Sequence, residues 1–525
     1  VHRPGHSPRR DVESPQGDVG PVDTGLLVPG PSAEPAGDER HSRSSKLFGR
    51  DLLYVGVLSL QLITATVVSP VLAHVLPGDE FGHLSSAIAL HQVLVVLALI
   101  GLDQAMILIR AETGRDHTAR TLVGVGLLVA LTLTGIAYVS APLWAPALGF
   151  PTDDPIVGIV VGWTPLAAGV YMVSALLLSQ DRLAAFATVN VLAALGGQAA
   201  GLVVLFTAEE RTASAYATGN LVTLAATLLL GIVLVRPRLP RRADLVVTRR
   251  AVRLGLPLMV SGLAVFVLNA SDRLVIQRLL GPEEAGRYQI AYVVGNLAVL
   301  LIGMIDGAFL PRIAAVRDDR ARWAVIGLAR AGLLKLMSPV MLGITLAAPL
   351  VLTVVAPSSF RPADLHPVVY LVALAGLPVL LGVGWVWELM TRHHTRGLAI
   401  SAIVAAVANV AINIVLVPRW GLLGAAAATV AAFAVESIGY RIAIPRGVEV
   451  PRIPRMLLLG VLAAAAVSAA TLWVPHTLTW NLVRFGLAVA CLPWLFHQLR
   501  SARARLEDGV AGAAVDTTVE SRPNG

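Results

Sequence analysis

The charged positions of this chain are bunched, and the stretches between them are apolar. Residues 121–152, 155–180, 183–208, 212–235, 254–271 and 336–360 contain no Asp, Glu, Lys or Arg. A helix needs roughly 20 apolar residues to cross a bilayer core, and these runs reach or approach that length. In lipid, backbone N–H and C=O groups must be satisfied inside a helix or a closed barrel. The period-two alternation of strands is absent and Leu, Ala and Val dominate, so the fold class is an all-α polytopic membrane protein. The pattern predicts fourteen transmembrane helices, over 51–76, 84–109, 121–148, 156–178, 183–207, 212–235, 254–280, 288–310, 324–355, 367–391, 398–417, 421–444, 456–474 and 482–499. Residues 1–50 and 500–525 lack apolar periodicity, are rich in polar residues, and read as disordered tails.

A basic stretch, 236–253, splits the chain after the sixth helix. Six helices at 51–235 and six at 254–444 then read as an N-lobe and a C-lobe, with two extra helices at 456–499. Short matches support a repeat. Leu99-Ile100-Gly101 precedes Arg110 as Leu301-Ile302-Gly303 precedes Arg312, Gly82 matches Gly286, and Ala141-Pro142-Leu143 matches Ala348-Pro349-Leu350. Their offsets are 202, 204 and 207, separated by an even number of helices, so the lobes are expected to be parallel repeats.

Composition agrees. The chain is 56% hydrophobic and 14% charged, against the roughly 25% charge of a soluble domain. Its formal charge of +8 comes almost wholly from Arg. In a soluble chain this would raise nucleic acid as a partner, but here the arginines occupy short loops, the pattern of topology signals. With the N-terminus inside, 23 arginines fall in inside loops and 5 in outside loops, so both termini are expected in the cytoplasm. The polar residues 1–46 offer no signal peptide, and the single Cys491 excludes an intrachain disulfide or a CxxC site. There is no Walker loop, no GxGxxG after a strand and no HExxH. The sequence thus predicts no enzyme, cofactor, metal or nucleic-acid partner, and favours transport across the bilayer.

Two stretches carry a family resemblance. One is Asp272-Arg273-Leu274-Val275-Ile276, Leu280-Gly281, Gly286-Arg287-Tyr288 and Ala291-Tyr292. The other is Asn409, Asn413, Leu416-Val417-Pro418, Gly421 and Gly424-Ala425-Ala426-Ala427-Ala428-Thr429. Together with the six-plus-six-plus-two organisation, these resemble the MOP superfamily of multidrug, oligosaccharidyl-lipid and polysaccharide flippases, and within it the Wzx-like branch. The resemblance implies two lobes that alternate access to a central cavity in a bacterial cytoplasmic membrane. It implies a polyprenyl-diphosphate-linked oligosaccharide as substrate, with membrane lipids, a polysaccharide polymerase or glycosyltransferases as partners. A cation-coupled multidrug exporter of the same superfamily is the alternative, and a polytopic glycan polymerase or transferase a second one. The polymerase would want a large outer loop, and every outer loop is short.

Intramembrane ionisable groups are costly, so each is a candidate site. In the seventh helix Asn269, Asp272, Arg273 and Gln277 fall at spacings of three and four, which predicts one polar stripe, with Arg278 further out. These five are the candidate substrate residues. Arginine forks suit a diphosphate or anionic sugar. The competing reading pairs Asp272 with Arg273 as a packing device. Asp103 in the second helix and Asp306 in the eighth are candidates for cation or proton coupling, unless they pair with Arg110 and Arg312. Glu388 and Arg392 read as a structural i,i+4 pair.

Overall fold

The computed structural model describes residues 66–520 with Leu60 and Thr64, apart from 152, 153 and 449; of 243, 304–308, 311, 312 and 502–520 it describes only the backbone. Among the described residues there are helices and no strand. They are α1 (Thr66–Val75), α2 (Gly78–Leu99), α3 (Leu102–Thr113), α4 (Asp116–Val139), α5 (Pro155–Ser179), α6 (Leu183–Thr207), α7 (Ala213–Val235) and α8 (Leu245–Leu280). Then follow α9 (Pro282–Gly295), α10 (Leu297–Ala314), α11 (Asp319–Val355), α12 (Pro362–Thr391), α13 (Thr395–Trp420), α14 (Leu422–Ala443), α15 (Arg455–Trp473) and α16 (Leu478–Glu520).

Among the described residues twelve helices are long and apolar enough to cross a membrane, or thirteen if the bent pair α9 and α10 is one span. The first expected span, 51–76, falls mostly outside the described residues, which hold only α1 of it. Large apolar side chains such as Leu131, Val139, Val233, Val407 and Ile442 are exposed, the reverse of a soluble surface and the arrangement a bilayer wants. Between helices the interior is built of small residues. Ala405, Ala406, Ala425, Ala426, Ala428 and Ala432 are buried and let α13 and α14 lie close together.

Several boundaries depart from the sequence reading. The basic stretch 236–253 is not a linker throughout, because α8 already begins at Leu245 and carries Arg249, Arg250 and Arg253 in its first turns. Arginine is a good helix former, so the start of charge does not mark the end of helix. The Asp244 carboxylate accepts the Arg241 backbone N–H at 2.8 Å just before this start. The 500–525 tail is likewise corrected, since α16 runs to Glu520 through the helix-favouring Ala, Arg, Leu and Glu of 501–507. Residues 521–525, and the 1–50 tail, lie outside the described residues.

Two breaks interrupt long spans. Ile100 and Gly101 take φ of 48° and 67°, which separates α2 from α3. A Cβ on Gly101 would lie 2.3 Å from the Gly255 carbonyl oxygen, so α8 passes here almost backbone to backbone. The matched triplet Leu301-Ile302-Gly303 does not break; α10 runs through it, and the span bends by 49° earlier, at Asn296.

Candidate functional site

Because consecutive residues in an α-helix point about 100° apart, Asp272 and Arg273 leave α8 in different directions. Asp272 is fully buried toward α9, α13 and α14. Its carboxylate accepts Tyr288 Oη at 2.9 Å, Asn413 Nδ2 at 2.9 Å and Thr429 Oγ1 at 2.8 Å. Beside it Ser271 Oγ donates to Asn409 Oδ1 at 3.0 Å, and the Asn413 amide also donates to the Asn409 carbonyl at 3.0 Å. The residues that carried the resemblance therefore meet around one carboxylate. Three donors satisfy the carboxylate oxygens in this dry place, and no ion pair joins Asp272 to Arg273 among the described residues. Neither the simple polar stripe nor the Asp272–Arg273 pair describes this geometry.

Arg273 turns the other way. Its Nε donates to Gln289 Oε1 at 2.9 Å, its Nη1 donates to the Asn269 carbonyl, and its guanidinium lies 3.9 Å from the centre of the Tyr292 ring. A guanidinium has five N–H donors, so after these two bonds donors remain for a ligand. Arg273 lines a cavity of about 320 Å³ walled by α1, α2, α6, α7, α8 and α9. Its other polar lining comes chiefly from amides and hydroxyls: Gln92, Gln198, Tyr216, Asn269, Gln289 and Asn296. Tyr216 Oη donates to Gln198 Oε1, and a π-helical turn over Leu192–Gly196 just precedes Gln198 in α6. Such turns widen a helix locally and re-aim the side chains that follow. One cation with a ring of amides and phenols can bind an anion and hydrogen-bond neutral hydroxyl groups around it.

Two features frame this cavity. At the start of α2 and α9 the backbones touch: a Cβ on Gly82 would lie 1.7 Å from the Pro282 carbonyl oxygen, and one on Gly286 would lie 3.2 Å from the Gly78 oxygen. The contact is reciprocal, with partners related by the same offset of 204 residues. Beyond the bend at Asn296 a second, apolar cavity of about 1030 Å³ opens, lined by α1, α10, α11 and α16 through residues such as Val67, Leu300, Gly343, Ala347 and Leu492.

Of the expected site residues, the structure brings Arg273 and Asn269 to the polar cavity and sends the others elsewhere. Asp272 is the buried node, Gln277 is buried with both amide atoms unpartnered among the described residues, and Arg278 is exposed. Asp103 is half-buried just after the Gly101 break. It makes no ion pair among the described residues, because Arg110 turns to Asp116 at 2.8 Å. The side chains of Asp306 and Arg312 lie outside the described residues. Glu388 is fully buried and held by Arg392, by Trp323 Nε1 at 3.2 Å and by Arg322 at 3.7 Å, a structural cluster as expected. Arg287 is also structural, donating to the Phe360 carbonyl at 2.9 Å and to Glu284 at 2.7 Å. Sequence reasoning missed Gln92, Tyr216, Gln289, Tyr292 and Asn296 as cavity residues; single polar residues on separate apolar helices give no local signal of convergence.

A bundle of apolar spans holding a polar cavity lined by Arg273, among helices from both halves of the chain, defines a multi-pass membrane protein. Residues 71–363 match the family described as polysaccharide biosynthesis protein, and the chain belongs to that family. It is 26% identical over 361 residues to the succinoglycan biosynthesis transport protein ExoT of Rhizobium meliloti (strain 1021), which covers 65% of this chain and 70% of that protein. Its fold is similar to that of the lipid II flippase MurJ in an inward closed conformation, with a TM-score of 0.61 at 13% identity over 87% of this chain and 99% of that one. It is also similar to an inward-facing multidrug resistance MATE family transporter of the MOP superfamily, with a TM-score of 0.56 at 14% identity over 78% of this chain and 96% of that one.

Proposed function

We propose that this protein is a flippase that moves a polyprenyl-diphosphate-linked oligosaccharide across the cytoplasmic membrane by alternating access, with both termini in the cytoplasm. The observation that carries the reading is Arg273, buried without a carboxylate partner among the described residues and lining a cavity otherwise edged by amides and phenols. A cation suits the diphosphate, and amides and phenols suit sugar hydroxyls. The adjoining apolar cavity suits the prenyl chain, and a lipid-linked substrate needs both kinds of space side by side. The names of the ExoT relative and of the MurJ fold neighbour point the same way. A buried cation disfavours the cationic drugs of a multidrug exporter. In this reading the halves 51–235 and 254–444 are two lobes, and the reciprocal contact of Gly82 and Gly286 is where they close. Asp272 positions Arg273 by tying α8 to α9, α13 and α14, and Asp103 is the candidate for proton or cation coupling.

The test is transport of a labelled polyprenyl-diphosphate glycan into proteoliposomes. Arg273→Ala should abolish it with little loss of folded protein, and Arg273→Lys should recover only part, since an ammonium keeps charge but not the bidentate fork. The double change Asp272→Asn with Arg273→Gln should remain inactive. Full transport by that double variant, or equal efflux of a cationic dye, would overturn the proposal.

A further inference from the structure

A second polar cavity, of about 590 Å³, lies at the helix ends that follow α14, and the proposed transport path does not use it. It is walled by Trp323 and Arg330 of α11, Trp385 of α12, Arg441 near the end of α14, and the stretch before α15 that includes Pro451 and Arg452. Three guanidinium groups and two indoles line it, and no carboxylate does among the described residues.

Arg330 is the informative group. It is 4% exposed, yet it has no ion-pair partner among the described residues. Its Nη1 donates to the Pro451 carbonyl at 3.1 Å and its Nη2 to the Leu381 carbonyl at 3.0 Å, while Nε is buried without a partner among the described residues. Its charge lies 5.3 Å from the centre of the Trp385 ring. The stem passes over Gly384, where a Cβ would lie 2.2 Å from Arg330 Cδ, so the position is shaped for this side chain. The nearby carboxylate, Glu388, is already engaged by Arg392 and Arg322 and does not compensate it. Arg441 and Arg452 are exposed and form no hydrogen bond or ion pair with a described residue. Uncompensated buried charge is costly unless an anion completes it. The volume falls within the about 300–1,000 Å³ of small-molecule sites. Basic pockets between transmembrane helices are suited to phosphorylated head groups, and tryptophans favour that depth.

We propose that this pocket binds a phosphate-bearing anion, held by Arg330, Arg441 and Arg452 and flanked by Trp323 and Trp385. A lipid head group and a soluble phosphate ester present the same chemistry, and the experiment separates them. The full chain in detergent is titrated with phosphatidic acid or phosphatidylcholine and read by native mass spectrometry. A parallel thermal-shift series uses sn-glycerol 3-phosphate. Phosphatidic acid should be retained in preference to phosphatidylcholine. The double variant Arg441→Gln with Arg452→Gln should reduce that preference by about ten-fold, the loss of roughly one charge-assisted contact, with the ligand-free melting temperature unchanged. If glycerol 3-phosphate raises the melting temperature of the wild type alone and displaces the lipid, the ligand is the soluble ester. Equal lipid retention by wild type and double variant, with no shift from glycerol 3-phosphate, would mean that Arg330 only clamps the Pro451 stretch and would overturn the proposal. Because neither substituted residue has a partner among the described residues, the outcome does not depend on whether an Arg330 variant folds.

Discussion

Asp272 and Arg273 are neighbours in sequence with separate tasks, and substitutions should separate them. Asp272→Ala removes the shared acceptor of Tyr288, Asn413 and Thr429; Asn413 and Thr429 keep the Asn409 and Ala425 carbonyls, and the Tyr288 hydroxyl loses its acceptor. An unsatisfied buried polar group costs about 1–3 kcal/mol, so folded yield and melting temperature should fall sharply. Arg273→Lys should leave both almost unchanged while transport drops, because its partners Gln289 and Asn269 accept from an ammonium as well. A melting curve in detergent beside a transport assay distinguishes the two; equal destabilisation by both would mean that Arg273 is structural. In the sequence, the identity of this pair was legible and its geometry was not. Spacing alone put Asp272 and Arg273 on one stripe, but the side-chain directions were decided by Asn413 and Thr429, which lie 141 and 157 residues away.

At the scale of helices, apolar length predicted the spans well, because lipid leaves the backbone so few choices. It misplaced ends wherever charge and helix coexist, as at Leu245 and beyond Arg500, and it had no means of locating the bend at Asn296. The contact between the starts of α2 and α9 is the element whose motion the proposed cycle requires. A Cβ on Gly78 would lie 3.3 Å from Glu283 Cγ, close enough that a cysteine pair there can form a disulfide. In a Cys491→Ser background, Gly78→Cys with Glu283→Cys should cross-link on oxidation and stop transport, and reduction should restore it. Efficient cross-linking with transport intact would show that these helix ends stay together throughout the cycle. Gly82→Val should have the opposite bias. Its side chain meets the Pro282 backbone and nothing flexible, so the closed contact cannot form, and cross-linking of the pair should fall.

For the whole molecule, the linings of the two cavities come side by side in the chain at the bend of α9 and α10, with Asn296 in the polar one and Leu297 in the apolar one. A substrate with a charged head and a long apolar chain would span that junction, and the chain is the part that can be tested without touching the polar residues. Gly343 lines the apolar cavity, and among the described residues a Cβ there would have as its near neighbour only Cys491 Cβ, at 4.0 Å. A large side chain therefore has room to enter without a backbone clash. Gly343→Trp should fill much of the void, and added apolar contact should leave the melting temperature equal or higher. Transport of a substrate with a full-length prenyl chain should fall severalfold, while a short-chain analogue with the same diphosphate and sugar should be carried at close to the wild-type rate. Proteoliposome assays with the two substrates give the comparison directly. If Gly343→Trp slows both equally, the apolar cavity serves the conformational change and not the lipid; if it slows neither, the prenyl chain stays in the bilayer and only the head group enters the protein.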